Sequence, residues 1–167
     1  PGARAPVATR AGEVLWTNDR GALHRLPVCG DGPETFPAPH AIGSATRIIG
    51  SPSGLWVIGT PPESLQRYEA DSLTRLMTIE LPDVRVIDIA GGERGAIEVL
   101  VQRNSELQVQ RLDPSGHAGK TVTFQGLADA DAFVFLRRTR RFVMLAGDHP
   151  KKLFWFCAED GRALFSV

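Results

Sequence analysis

The sequence predicts an all-β chain, and three observations carry that prediction. Its apolar runs are four to six residues long, rich in Val, Ile, Phe, Trp and Leu, and end at Gly, Pro, Asn or Asp. Runs that short suit strands, because a helix needs roughly ten or more residues between breakers. Seventeen glycines and twelve prolines in 167 residues leave little room for long helices. Finally, the whole pattern recurs about every 42 residues.

Four units align. The first holds Val14-Leu15-Trp16-Thr17 and Ala22-Leu23-His24-Arg25-Leu26, the second Leu55-Trp56-Val57-Ile58-Gly59 and Leu65-Gln66-Arg67-Tyr68. The third holds Ile97-Glu98-Val99-Leu100-Val101 and Leu107-Gln108-Val109-Gln110, the fourth Phe142-Val143-Met144-Leu145 and Leu153-Phe154-Trp155-Phe156. Anchor leucines at 23, 65, 107 and 153 stand 42, 42 and 46 residues apart. Six positions beyond the last three come Asp71, Asp113 and Glu159, each opening a turn; the first unit has Cys29-Gly30-Asp31-Gly32-Pro33 there. Asp caps its own backbone two residues on, Pro presets φ and Gly supplies positive φ. Hydrophobic and turn registers therefore agree over three periods.

Each later unit fills out to four strands. The expected spans are 45–50, 54–60, 64–69 and 74–80 in the second, and 84–90, 96–102, 106–112 and 119–125 in the third. In the fourth they are 132–136, 141–146, 152–157 and 162–166. A four-stranded antiparallel unit of roughly 40 to 45 residues is the size of one β-propeller blade. Such a meander has two apolar faces and must stack on neighbours to bury both. A β-sandwich also uses short strands at this spacing, but has no reason to repeat its sequence. The reading is β-propeller-like: a tail over 1–12, then one domain over 13–167 with blades at about 13–43, 44–82, 83–127 and 128–167. The first unit is ragged, with no good inner strand before Glu13 and a poor outer one at Thr35-Phe36-Pro37. Either a four-bladed ring closes with a borrowed strand, or the four blades belong to a larger propeller partly supplied by another chain. The second arrangement is the one adopted.

On these features the chain resembles the broad class of six- to eight-bladed propellers that includes the NHL and quinoprotein-like repeats. It lacks the Gly-His…Trp-Asp pair of WD40 repeats, and the double glycine of kelch repeats occurs only at Gly91-Gly92. Gly54-Leu55-Trp56-Val57 and Leu107-Gln108-Val109-Gln110-Arg111-Leu112-Asp113 are also similar to propeller-like proteins of phage-tail and contractile-injection particles. That resemblance implies a structural part in a larger assembly.

Composition excludes several partners. Acidic and basic residues balance at 19 each, so no global field draws the chain to nucleic acid or to an acidic membrane. No apolar run approaches the roughly 18 to 20 residues of a membrane span, and Pro1-Gly2-Ala3-Arg4 lacks a signal core; the compartment is left open, with the cytoplasm favoured. Cys29 and Cys157, 128 positions apart with no nearby His, read as free thiols.

Catalytic signals are scarce. Propeller sites gather where the second-to-third-strand loops and the between-blade loops converge, which points to Asp19, Asp83, Asp129, Asp131, Asp148 and His149. Those aspartates are oxygen ligands of the kind that hold a divalent ion, yet loop aspartates are ordinarily turn formers, and no metal or cofactor is expected. His24, His40, His117 and His149 show no ligand spacing, and there is no G-x-S-x-G or phosphate-cradling loop. Gly91-Gly92-Glu93-Arg94-Gly95 reads as a hairpin loop with no helix after it. Trp16 and Trp56 read as matched packing residues and Phe154, Trp155 and Phe156 as core. The one marked charge cluster is Arg137, Arg138, Arg140 and Arg141, joined in sequence by Lys151 and Lys152. It reads either as a solvated turn whose charges discourage edge pairing or as a docking patch for an acidic partner or phosphates, with a protein the expected partner. The expected function is a non-catalytic scaffold or protein-docking module, the alternative an enzyme or carbohydrate-binding propeller completed by blades outside this chain.

Overall fold

The computed structural model describes residues 4–8, 14–17, 23–26 and 34–36 as backbone, and residues 48–51, 54–58, 64–69, 72, 74–147 and 150–167 with side chains. Among the described residues there is no helix, and so none long and apolar enough to cross a membrane. These residues form sixteen strands in four sheets, each of four antiparallel strands in chain order. The chain divides into two compact units, Pro1–Leu81 and Pro82–Val167.

The first unit holds two sheets. One comprises β1 (Arg4–Ala8), β2 (Val14–Thr17), β3 (Leu23–Leu26) and β4 (Glu34–Phe36); the other comprises β5 (Ile48–Ser51), β6 (Gly54–Ile58), β7 (Ser64–Tyr68) and β8 (Arg75–Glu80). The expected tail over 1–12 thus contains a paired strand, with Val7 opposite Leu15 and Ala8 opposite Val14. Pro6 hides it in the sequence. Proline cannot donate to a ladder, but β1 lies at a sheet edge, and the register breaks between Arg4 and Val7 to accommodate it. The Thr35-Phe36 segment likewise forms β4, an edge strand that stops before Pro37. Among the described residues the first blade thus has four strands of its own.

In the second sheet Leu55, Trp56, Val57, Ile58 and Leu65 are fully buried. Gly54 opens β6 at φ +124°, and a Cβ there would strike the carbonyl oxygen of Tyr68, so the site demands glycine. The Arg67 guanidinium lies 5.9 Å over the Trp56 ring, from the residue directly opposite it on β7. Register also separates the two tryptophans thought to match. Trp16 pairs with His24, one past anchor Leu23, whereas Trp56 pairs with Arg67, two past anchor Leu65. The two tryptophans therefore do not hold the same register position relative to their anchor leucines.

The second unit holds β9 (Arg85–Gly91), β10 (Ile97–Arg103), β11 (Glu106–Leu112) and β12 (Ala118–Phe124), then β13 (Ala132–Leu136), β14 (Arg141–Ala146), β15 (Lys152–Cys157) and β16 (Ala163–Ser166). β10 and β11 pair over seven residues across a two-residue turn, Asn104 at φ 49° and Ser105 at φ 66°. Two consecutive positive φ values match the twist of a hairpin, and Asn tolerates them. Gly91-Gly92-Glu93-Arg94-Gly95 is the expected hairpin loop, closed by Gly92 N–H to Ala96 O at 2.9 Å.

One core joins the two sheets of this unit. Leu100, Leu107, Val109, Val122 and Phe124 meet Phe133, Phe135, Phe142, Met144 and Phe156. Phe124 makes edge contacts with Phe142 and Phe156, at centroid distances of 5.8 and 4.8 Å. One polar and one steric device fix the stacking. The Phe133 N–H donates to Oδ2 of buried Asp88 at 2.9 Å, while Asp88 Oδ1 accepts from Ile89 N–H. Gly161, at φ +73°, lets the β15–β16 turn press onto the Thr123 backbone where any Cβ would collide.

Candidate functional site

Antiparallel meanders put successive turns at alternate ends of a sheet. In the second unit one end carries the turns over 92–96, 113–117, 137–140 and 158–162, and the other carries those over 104–105 and 125–131 together with residues 147 and 150–151. This sorting divides the charged candidates. Arg137, Arg138 and Arg140 are exposed on the β13–β14 turn, with Arg141 half-buried at the start of β14. Lys151 and Lys152 stand at the opposite end: Arg141 pairs with Cys157, whereas Ala146, at the far end of β14, pairs with Lys152. Five residues of strand, roughly 17 Å, separate the groups. The six residues do not form one patch.

The arginine end is cross-strapped. Arg140, in the left-handed region at φ 49°, directs Nη1 to Glu159 Oε1 at 3.6 Å, and its carbonyl accepts from Ala158 N–H at 3.0 Å. Lys120 of the neighbouring sheet donates to the Glu159 carbonyl. Arg137, Arg138 and Arg141 form no ion pair among the described residues. Between the sheets at this end lies a recess of about 60 Å³, lined by Glu93, Glu98, Arg111, Lys120, Arg140 and apolar neighbours. Glu98 is buried on β10, 3.8 Å from Arg111 Nε. Burial pushes its carboxyl up to about 7, against the pull of Arg111 and with help from Glu93.

Turn carboxylates here behave differently. Asp113 accepts from Ser115 N–H at 2.8 Å and His117 N–H at 2.9 Å, and these bonds, the His117 one foremost, lower its pKa. Asp160 is lowered by the Arg162 backbone N–H and then by Cys157. Both are turn formers, as the repeat predicts.

At the opposite end, Asp83 is exposed in the turn before β9 at φ 62°. Asp129 accepts from the Ala130 N–H at 2.9 Å, and Asp131 forms a 2.6 Å ion pair with Lys151. A shallow recess of about 470 Å³ lies beside these two, lined also by Leu127 and Gly147. Asp19, Asp148 and His149 lie outside the described residues, as do Cys29 and His40, while Cys157 is a free, half-buried thiol. His24 falls within β3, and exposed His117 sits 3.5 Å from Asp113. Among the described residues no three His, Cys, Asp or Glu side chains come together as metal ligands.

Two groups escaped the sequence reading. Asp88 and Glu98 are single carboxylates inside apolar strands, Val86-Ile87-Asp88-Ile89-Ala90 and Ile97-Glu98-Val99-Leu100. A charge in a run otherwise fit for full burial is the signal that would have found them. Trp155 departs from its reading too. It turns from the core to stack on Phe165, centroids 4.6 Å apart.

The architecture is shared with solved structures. The WD40 domain of Neurospora crassa Pan2 superposes with a TM-score of 0.69 at 13% identity, over 99% of this chain and 49% of that one. Virginiamycin B lyase from Staphylococcus aureus gives 0.66 at 15% identity, over 85% and 47%. Hydrazine synthase of Kuenenia stuttgartiensis gives 0.73 at 10% identity, over 99% and 49%. No protein-family model and no curated protein sequence matches the chain. The fold is that of the β-propellers. The chain spans about half the length of these structures, whose own activities differ from one another.

Proposed function

We propose that the chain is a non-catalytic β-propeller docking module that binds an acidic protein segment at the β13–β14 turn. One observation carries the reading: Arg137, Arg138 and Arg141 crowd a single turn and its first strand residue with no carboxylate paired to them among the described residues. Arg140, held by Glu159, stiffens the turn that presents them. Arginine forks suit bidentate capture of carboxylates. Lys151 and Lys152 belong to the other end and take no part. Membership of a larger, phage-tail-like assembly, with further blades supplied by a second chain, is the finer form of this proposal. It draws on the resemblance of 54–57 and 107–113.

Fluorescence anisotropy with a labelled poly-glutamate peptide tests it. Binding should weaken as salt rises, and Arg137→Glu with Arg138→Glu should reduce affinity at least about tenfold. Lys151→Glu with Lys152→Glu should leave it within about twofold. Equal losses in both double variants, or no binding by the parent, would reject the arginine turn as a docking site.

A further inference from the structure

The carboxyl of Glu98 borders the recess between the third and fourth sheets. Glu98 is only 4% exposed, and its carboxyl makes no hydrogen bond among the described residues. Its cationic neighbour, Arg111 directly opposite on β11, keeps Nε 3.8 Å away, outside hydrogen-bond reach. Ala90, opposite on β9, brings no charge, and a Cβ on Gly92 would come within 3.1 Å of Glu98 Oε1. Arg111 is itself sparsely engaged. Its Nη2 donates to the Glu93 carbonyl at 3.4 Å and stands 3.9 Å from the Glu93 carboxylate. A guanidinium has five N–H donors, so most of its capacity is left for a guest. Lys120 of β12 and Arg140 of the β13–β14 turn complete the charged wall, both tied to Glu159.

The rest of the wall is apolar, with Val109, Val122, Phe135 and Phe142. The space, about 60 Å³, is roughly four times the ~15 Å³ that admits one water. It suits an acid group on a short hydrocarbon stem and is too small for a sugar ring or a nucleoside. We propose that this recess binds a carboxylate carried on a short apolar stem, its head between Arg111, Lys120 and the Glu98 hydroxyl and its stem against the phenylalanines. Glu98 sets the selectivity. Burial lifts its pKa to about 7, so below that value it holds a proton and donates to an anion that its ionised form would repel. Arg111 resists that proton and Glu93 favours it, while Lys120 and Arg140 face the recess from the neighbouring strand and turn. Binding is thus coupled to proton uptake, and each pH unit above about 7 lowers affinity about tenfold. The site goes beyond the docking proposal and stands without it.

Titration of the isotope-labelled 167-residue chain with sodium propionate, at constant ionic strength and read by amide chemical shifts, tests the site. Propionate is also the end of a glutamate side chain. Saturable shifts are expected at Glu98, Arg111 and Lys120 at pH 6.5, with a dissociation constant at least about tenfold higher at pH 8.5. Glu98→Gln keeps a neutral donor and should bind equally at both pH values. Lys120→Met, an exposed position on an edge strand, should weaken binding at least about fivefold with urea stability unchanged. Arg137→Glu with Arg138→Glu should leave propionate binding within about twofold, so failure of the docking proposal and failure of this one read out separately. Poly-glutamate that displaces propionate assigns the carboxylate to a docked side chain; poly-glutamate that does not assigns it to a free acid. Absence of saturable shifts at pH 6.5, or inorganic phosphate binding as tightly as propionate, would overturn the inference. So would a parent whose affinity ignores pH, or a Glu98→Gln variant that keeps the pH dependence.

Discussion

The third and fourth sheets are built alike and buried differently. In β9–β12 both sets of alternating residues are sealed: Leu100 and Val109 on one side, Ile89, Val99 and Leu112 on the other. In β13–β16 the phenylalanine side is sealed, while on the other side Val143 is buried but Val134, Leu153 and Phe165 are exposed. The polar residues differ in the same sense. Where the third sheet sets Asp88, Glu98 and Arg111 into its covered face, the fourth has Val134, Arg141 and Cys157 at the same register. Stacking in this fold thus rests on general apolar contact, with a few buried polar groups fixing one pair of sheets in place.

Substitutions at matched positions break the comparison most directly. Leu107→Ala should destabilise by about 3 kcal/mol, the usual cost of emptying a sealed leucine site. Leu153→Ala, at a leucine 38% exposed, should cost less than about 1 kcal/mol by urea denaturation. Equal costs would mean that the two faces are energetically alike. Asp88→Ala should cost about 2 kcal/mol in the same assay, because it strands the buried Phe133 N–H. Asp88→Asn keeps an acceptor and should recover part of the loss.

Glu98 sharpens the contrast through pH. Its folded pKa of about 7 exceeds the ordinary 4.5, so the native state holds a proton that the unfolded chain has released between those values. Stability from this group is therefore full below about 4.5 and declines as pH rises to about 7. Glu98→Gln should remove that slope and gain about 2 kcal/mol at pH 8 relative to pH 5, by thermal or urea unfolding. Unchanged slopes would mean that the carboxyl is solvated.

Much of the fold was legible in the sequence. Strands of the second to fourth sheets begin and end within about three residues of their expected places, because apolar runs and Asp, Gly and Pro turns mark them independently. β1 and β4 escaped because Pro6 and Pro37 signal a break, and only pairing reveals that both strands are edges. The docking candidates were legible as residues but not as a surface. Sequence proximity joined Lys151 to Arg141, whereas a hairpin sends its two ends to opposite poles. Asp88 and Glu98 were invisible as partners because their contacts, to Phe133 N–H and Arg111, lie 45 and 13 residues away.

The strictly sequential order of strands has a kinetic consequence. Every strand pairs with its chain neighbour, so each sheet is complete within about forty consecutive residues. Loops that short close quickly, and low contact order favours fast folding. Each meander can therefore form as it leaves the ribosome, and the slow step is left to docking between finished sheets, where Asp88 waits for Phe133.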